Sequence, residues 1–139
     1  MATIQKFTAE VKAAATQDVS KITQEWQRRF ALAALNSVVL KTPVDTGRAR
    51  ANWQAGPTPG ELVLEIEDTA GAATLTRETP KVQAGVRAFK PYVVWNNVEY
   101  INFLEDGSSK QAPQGMVALT IRELQSRGAN LAAGLKFRR

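Results

Sequence analysis

Cysteine and histidine are both absent from this chain of 139 residues. Without cysteine there is no disulfide, no thiol nucleophile and no sulfur-ligated metal. Without histidine there is no histidine-based catalytic triad, and the usual zinc sites lose their other common ligand. These sites and triads are therefore excluded. Residues 94–116, where the local signals are densest, also contain no arrangement of nucleophile, base and acid, and we expect no enzyme activity, no cofactor and no metal.

Long apolar runs are absent as well. No run approaches the roughly 18 residues of a membrane span, and acidic and polar residues occupy the region where a signal peptide has its apolar core. We therefore expect that the protein is made in a cytoplasm and does not contact a membrane. The length suits one domain over residues 1–139.

Positive charge is in moderate excess, with a formal net charge of +5 and a pI near 9.8. Most basic residues are scattered, and the one short cluster is Lys136 to Arg139. Two interpretations stay open: a solvated surface with a loose basic tail, and a DNA-binding module that contacts phosphates. The scatter favours the first, because no recognition helix or aromatic stacking pattern supports the second.

Residues 3–41 have the pattern of a helix, because apolar residues recur at steps of three and four until Pro43. A straight helix of this length measures about 55–60 Å, whereas the domain should be only about 37 Å across. The helix therefore either overhangs or breaks, with Asp18 capping a second segment over residues 19–41. Residues 1–17 form the predicted arm, which either folds back on its own core or contacts a second subunit through Ile4, Phe7 and Val11.

A turn over Thr42–Arg48 follows the helix. We expect Asp45 to accept backbone N–H bonds there and Gly47 to adopt a positive φ. The remote alternative is a retroviral-type aspartic protease, because Asp45-Thr46-Gly47 is the triplet that carries its catalytic carboxylate. Those enzymes have apolar residues before the triplet and a small residue after it, and Pro43 and Arg48 do not fit that pattern.

The middle of the chain predicts two strands and an excursion. Arg48–Trp53 reads as a strand, and Glu61–Asp68 alternates apolar and polar residues as a half-buried strand does. Residues 69–88 have no firm period and predict a long hairpin or excursion from the sheet. Its candidate contacts with a neighbouring subunit are Leu75 and Val82.

The last third predicts a strand, a short helical turn and a helix. Tyr92–Trp95 favours a strand, the turn ends at Asp106-Gly107, and Pro113 occupies the first turn of a helix that Gly128 caps. Residues 128–139 form the C-terminal tail. The predicted fold is α+β, with the long N-terminal helix and the C-terminal helix on one face of a small antiparallel sheet.

Two longer motifs carry a resemblance. The first signature segment, residues 42–53, contains Thr-Pro-Val-Asp-Thr-Gly-Arg and ends at Trp53. The second, residues 95–116, contains Trp-Asn-Asn-x-x-Tyr and then Leu-Glu-Asp-Gly-Ser-Ser-Lys-Gln-Ala-Pro-Gln-Gly-Met. In this order and spacing they resemble the tail-component family of long-tailed bacteriophages, which includes relatives of the lambda minor tail protein Z. The matching positions are Pro43, Asp45, Thr46, Gly47, Arg48, Trp53, Asn96, Asn97, Tyr100, Leu104, Glu105, Gly107, Gln111 and Pro113.

The resemblance implies a structural virion protein, a tail-completion or head–tail joining component at the neck. It implies a ring of identical subunits, most simply a hexamer, around the path of the genomic DNA. The implied partners are further copies of the chain and the tail terminator, tail tube or connector proteins. The DNA passes nearby without sequence-specific binding.

Within the signature segments we expect structural roles. Asp45 should hold the turn, Arg48 should pair with Glu105 or Asp106, and Gln111 with Pro113 should fix the loop that leads into the last helix. Large aromatic side chains remove much area from water and are expected in the core between helix and sheet. They are Trp53, Trp95, Tyr100 and Phe103.

Overall fold

The computed structural model describes residues 4–131 and 134–135, with side chains of the first helix at residue 10, at 12–13 and from 16 onward. The chain is α+β, as predicted. Five helices accompany two short strands within the described residues. Their bounds are α1 Ile4–Lys41, α2 Arg48–Ala51, β1 Gln54–Gly56, α3 Ala72–Gly85, β2 Val93–Trp95, α4 Ile101–Glu105 and α5 Val117–Leu131.

The first helix is continuous, so the predicted break at Asp18 is wrong. No proline or glycine interrupts Ile4–Lys41, and the alanines at 13–15 are the best helix formers. The alternative of an overhanging helix fits better, because the described side chains of residues 10–17 are all exposed. The side chains of Ile4, Phe7 and Val11 lie outside the described part.

The sheet consists of β1 and β2 alone, paired antiparallel with Ala55 opposite Val94. Its side chains meet α1, α3 and the loop before α5 in the core. The core residues are Leu35, Val38, Val39, Trp53, Ala55, Val82, Val86, Ala112 and Met116. Trp53 is 4% exposed, whereas Phe103 is 66% exposed, so the expected core position is wrong for Phe103. Trp95 and Tyr100 are half-buried.

The strand predicted over Arg48–Trp53 is wrong in its first part, which forms α2. Gly47 has φ +90° and precedes a Arg-Ala-Arg-Ala turn whose two alanines are buried. An alternation of small and long residues fits a helical turn as well as a strand when only the alanines face the core. The strand begins later, at Gln54.

The excursion predicted over residues 69–88 is wrong, because α3 occupies most of it. Asp68 accepts hydrogen bonds from Gly71 N at 2.9 Å and from Thr74 N at 2.7 Å, which caps the helix start. Pro80 lies inside α3 and removes only the bond to the carbonyl of the exposed Thr76.

No strand forms over Glu61–Asp68, and this prediction is wrong too. The backbone there bonds to side-chain amides in place of a neighbouring strand. Asn52 Nδ2 donates to Leu64 O at 3.0 Å, and Asn52 Oδ1 accepts from Leu64 N at 2.7 Å. Gln54 Nε2 donates to Leu62 O at 2.9 Å.

The last helix begins at Val117 and not at Pro113, and it continues through Gly128 to Leu131. Its start is set by a carboxylate from α4. Glu105 accepts bonds from the backbone N–H groups of Met116, Val117 and Ala118 at 2.8–3.0 Å. Of the predicted tail, residues 132–133 and 136–139 lie outside the described part.

Candidate functional site

The two signature segments lie against each other, although about 40 residues separate them in the sequence. Gln111 Nε2 donates to Val44 O and Gln111 Oε1 accepts from Val44 N, both at 2.9 Å. Asn96 Nδ2 donates to Ala49 O at 2.8 Å. A side-chain amide that bonds both backbone groups of one residue fixes position and orientation together. Gln111 therefore fixes its loop to the first signature segment.

The first signature segment is anchored to the end of α1 through Thr42, which is fully buried. Its Oγ1 donates to Val38 O at 2.6 Å and accepts from Trp53 Nε1 at 2.7 Å. Arg50 Nη2 donates to Thr42 O at 2.8 Å and to Leu40 O at 3.1 Å. These bonds satisfy carbonyls that the helix leaves unpaired at its C-terminus.

Gly47 is required by its surroundings as well as by its φ of +90°. A Cβ at this position would lie 2.7 Å from the backbone atoms Asp68 C and Thr69 N. Its carbonyl accepts bonds from Ala51 N at 2.9 Å and from Asp68 N at 3.1 Å. Gly47 thus joins the turn to the start of α3, and the prediction of a positive φ is confirmed.

Asp45 does not hold the turn as predicted. Its side chain is exposed and makes no hydrogen bond within the described residues. Thr46 Oγ1 instead accepts from Arg48 N at 3.3 Å. The turn is held by Thr42, Gly47 and Gln111.

Arg48 does not contact Glu105 or Asp106, which corrects the predicted ion pair. Its Nη1 lies 2.9 Å from Glu99 Oε1, and its Nη2 lies 3.7 Å from Glu65 Oε1. The hydrogen bond with Glu99 raises the pKa of Arg48. The pKa of Glu99 is lowered by its own backbone N–H and then by Arg48. Both carboxylates are largely exposed, so this pairing orients surface side chains and adds little stability.

The loop of the second signature segment closes through two glycines. Gly107 has φ +92°, and a Cβ there would lie 2.4 Å from Pro113 O. Gly115 has φ +83°, and a Cβ there would lie 2.6 Å from Glu105 O. The missing side chain of Gly107 therefore allows the close approach of the Pro113 carbonyl, and Glu105 serves as the cap of α5.

Asn97 and Asn52 hold the segment over residues 60–64. Asn97 Nδ2 donates to Gly60 O at 2.8 Å and to Leu62 O at 3.1 Å. Asn52 is fully buried and was missed by the sequence analysis, as was Gln54. A buried asparagine two residues before a strand is a signal for such a role, since buried amides require partners.

A groove of about 380 Å³ runs between the two signature segments. Its walls include Asp45, Arg48, Tyr100, Leu104 and Gln111. Asp45 is the one carboxylate among its lining residues. The triplet that contains it lies in a turn between two helices, not beside the apolar strands of an aspartic protease. Within the described residues no cluster of three potential metal ligands occurs.

Of the two candidate contacts in the predicted excursion, Val82 does not reach the surface and Leu75 reaches it only in part. Val82 is fully buried in the core and Leu75 packs partly buried against it, because both lie on the inner side of α3. Val82 has no exposed area to offer a neighbouring subunit, which corrects that prediction.

Comparison with known proteins finds no matching family model, no matching curated protein and no matching solved structure. The resemblance to phage tail components therefore rests on the two signature segments themselves. In the part of the chain that the structure describes, no helix is both long and apolar enough to cross a membrane.

Proposed function

We propose that this chain is a structural subunit of a tailed-phage virion. It acts as a tail-completion or head–tail joining component and forms a ring at the neck, around the DNA path. The ring is most simply a hexamer, and its further partners are tail terminator, tail tube or connector proteins.

The observation that carries the proposal is the contact between the two signature segments. The residues that carry the family resemblance at Asn96 and Gln111 hydrogen-bond the backbone of the other signature segment. Gly47, Glu105 and Gly107 each fix a turn or a helix end. A motif whose residues bind backbone is suited to a scaffold, because it specifies a shape.

The overhanging part of α1 also supports self-assembly. Residues 4–17 extend over about 20 Å at 1.5 Å per residue. The described side chains in this stretch, from Glu10 to Gln17, are all exposed. Ile4, Phe7 and Val11 keep their proposed role as contacts with a neighbouring subunit, on the sequence pattern alone.

The first test is the mass of the purified protein by light scattering, at low and high salt, alone and with double-stranded DNA. We expect a salt-resistant species near six subunits. A monomer that gains mass only on DNA would overturn the proposal and favour the DNA-binding module, whose phosphate contacts weaken steeply with salt.

A matched pair of variants tests the remaining alternative, an aspartic protease with Asp45 as its catalytic carboxylate. Asp45→Asn keeps the size of an exposed side chain that bonds nothing in the described structure, so assembly should be unchanged. Gln111→Ala removes both bonds to Val44 and should loosen the groove between the signature segments. Loss of assembly in Asp45→Asn alone would contradict the structural role.

A further inference from the structure

The outer edge of β2 is unpaired. Ala55 lies opposite Val94, and Ala55 N donates to Glu78 Oε2 at 3.1 Å, away from β2. In an antiparallel pair both residues turn their N–H and C=O either toward each other or outward, so those of Val94 face outward. Neither has a hydrogen-bond partner within the described residues. An unpaired edge of this kind is a template for another strand.

An apolar groove adjoins this edge. Two hollows of about 310 and 130 Å³ lie next to each other and share the lining residues Ala34 and Val94. We call them together the edge groove. Trp26 and Phe30 line one end and Ile121 the other. Trp26 is 36% exposed and Ile121 is 50% exposed, so the groove presents apolar surface to solvent.

The same chain carries a segment with the pattern of the missing strand. Residues 61–67, the donor segment, alternate Leu62, Leu64 and Ile66 with polar or smaller positions. Leu62 is 62% exposed and Ile66 is 43% exposed. The carbonyl of Leu62 and both backbone groups of Leu64 are bonded by their own domain, whereas the backbone groups of Val63 and Glu65 have no partner in the described structure.

The charges of the two surfaces are complementary. Glu61, Glu65 and Glu67 give the donor segment a negative outer side. Lys90 lines the edge groove, and Arg122 is exposed next to Ile121. Neither cation forms an ion pair among the residues that the structure describes. Opposite charges at the rim of a contact favour the correct partner and raise the rate of encounter.

We propose that the donor segment of one copy adds to the outer edge of β2 in the next copy as a third strand. The added strand runs parallel to β2, so Val94 N–H donates to Val63 O and Val94 O accepts from Glu65 N–H. Leu64 then lies beside Val94, and the apolar side chains of the donor segment cover the edge groove. This inference rests on the proposed function in requiring self-assembly. Because the donor segment and the edge lie at different places on each chain, the contact is head-to-tail and can repeat around a ring.

Single cysteines test this contact directly, because the native chain has none. A Val94→Cys chain is mixed with a tagged chain that carries one cysteine at 62, 63, 64, 65 or 66. Successive side chains of a strand point to opposite faces, and a disulfide needs Cβ atoms about 4 Å apart. We expect mixed disulfides at 62, 64 or 66, with at least fivefold less at 63 and 65. Position 65 is exposed like 62 and 66, and position 63 is half-buried like 64, so exposure alone does not produce this alternation. An even yield at all five positions, or none, would overturn the inference.

A substitution pair provides the second measurement. Ile66→Lys should reduce the assembled fraction in light scattering at least tenfold, whereas Phe103→Lys should not, because Phe103 is 66% exposed and lines neither part of the edge groove. Both variants should keep the melting temperature of the monomer. If the native protein assembles but the alternating disulfide pattern is absent, the proposed strand contact is wrong, whereas the proposed ring is not contradicted. If it gains mass only on DNA, the proposed function fails as well.

Discussion

The two edges of the small sheet differ in whether their outward-facing backbone groups have hydrogen-bond partners. On the β1 side, the fully buried Glu78 accepts the Ala55 N–H and forms ion pairs with Arg77 at 2.6 Å and Lys81 at 3.0 Å. On the β2 side, the backbone of Val94 is bonded to nothing in the described structure. A buried carboxylate is expensive to desolvate, so its use at one edge shows how strongly an unpaired N–H must be compensated when water is excluded.

The carboxylate at the β1 edge also organises the charges around α3. Arg77 Nη2 donates to Ala51 O at 2.8 Å and to Trp53 O at 3.0 Å, so the cation that neutralises Glu78 also holds the chain before β1. Burial, with a smaller contribution from the charge of Glu78, raises the pKa of the Tyr92 phenol. The closed edge is thus part of the core, whereas the open edge is part of the surface.

Removal of Glu78 should have the largest effect. Glu78→Ala leaves the Ala55 N–H without its acceptor and two cations without their counter-ion, and we expect a loss of about 3 kcal/mol in the free energy of unfolding, measured with urea. Glu78→Gln keeps the size and one acceptor and should lose clearly less. A loss of less than about 1 kcal/mol in the free energy of unfolding of Glu78→Ala would contradict this role, because water would then satisfy the Ala55 N–H in place of the carboxylate.

Removal of Asn52 should have the next largest effect. Asn52→Ala breaks the two bonds to Leu64 and one to Arg48 O, with an expected loss of about 2 kcal/mol. Hydrogen exchange should accelerate at the Leu64 amide. Asn97→Ala is the matched control, since it leaves Asn52 and Leu64 bonded and should lose less. Equal losses in the two variants would contradict the role assigned to burial.

Glu123 offers a contrast with the fully buried Glu78. It accepts bonds from Lys41 Nζ and Ser37 Oγ, both at 2.6 Å, and these lower the pKa of Glu123 from 4.5 to about 2. A lowered folded pKa stabilises the protein above about pH 4.5, and this contribution is lost as the pH falls toward 2.

The corresponding variant is Glu123→Gln, compared with Glu67→Gln at an exposed site. Because Glu123 is 33% exposed, solvent screening limits the expected loss at pH 7 to about 1 kcal/mol. The difference from the native protein should shrink between pH 4.5 and 2, as followed by urea unfolding at each pH. A difference independent of pH would remove the Lys41 pairing from the explanation.

The smallest effect on stability belongs to the open edge, and it is best measured without a mutation. In the monomer, the Val94 amide should exchange on the order of 100-fold faster than the Ala55 amide. In the assembled protein, Val94 should become protected while Ala55 changes little. Slow exchange at Val94 in the monomer would contradict the assignment of an open edge.

The sequence predicted the elements whose signals are local. The apolar spacing identified α1, the β-branched run identified β2 at Val93–Trp95, and Asp106-Gly107 marked the end of α4. The position of α3 was missed, because Pro80 and the small residues around it concealed a helix whose start depends on Asp68. Burial raises the pKa of Asp68, but the bonds from Thr74 and Gly71 outweigh it and lower that pKa.

The candidate site shows the same limit. Residue patterns identified Gly47 and Gln111 as structural positions, and both hold backbone. They did not identify that Arg48 pairs with Glu99, because a surface pair depends on how the turn and α4 are placed. The alternation in the donor segment wrongly indicated a strand, because the hydrogen-bond partners of its backbone are side chains, which periodicity does not report.

The continuity of α1 has a mechanical consequence. From Ile4 to Lys41 there is no hinge, and the C-terminal half is fixed by bonds such as Lys41 to Glu123 and Arg29 to Leu131 O. A tilt of about 10° at the Lys41 end would therefore displace the other end by about 10 Å, given 1.5 Å per residue. The length of α1 therefore converts a small rotation of the domain into a large displacement of the N-terminal end of the helix.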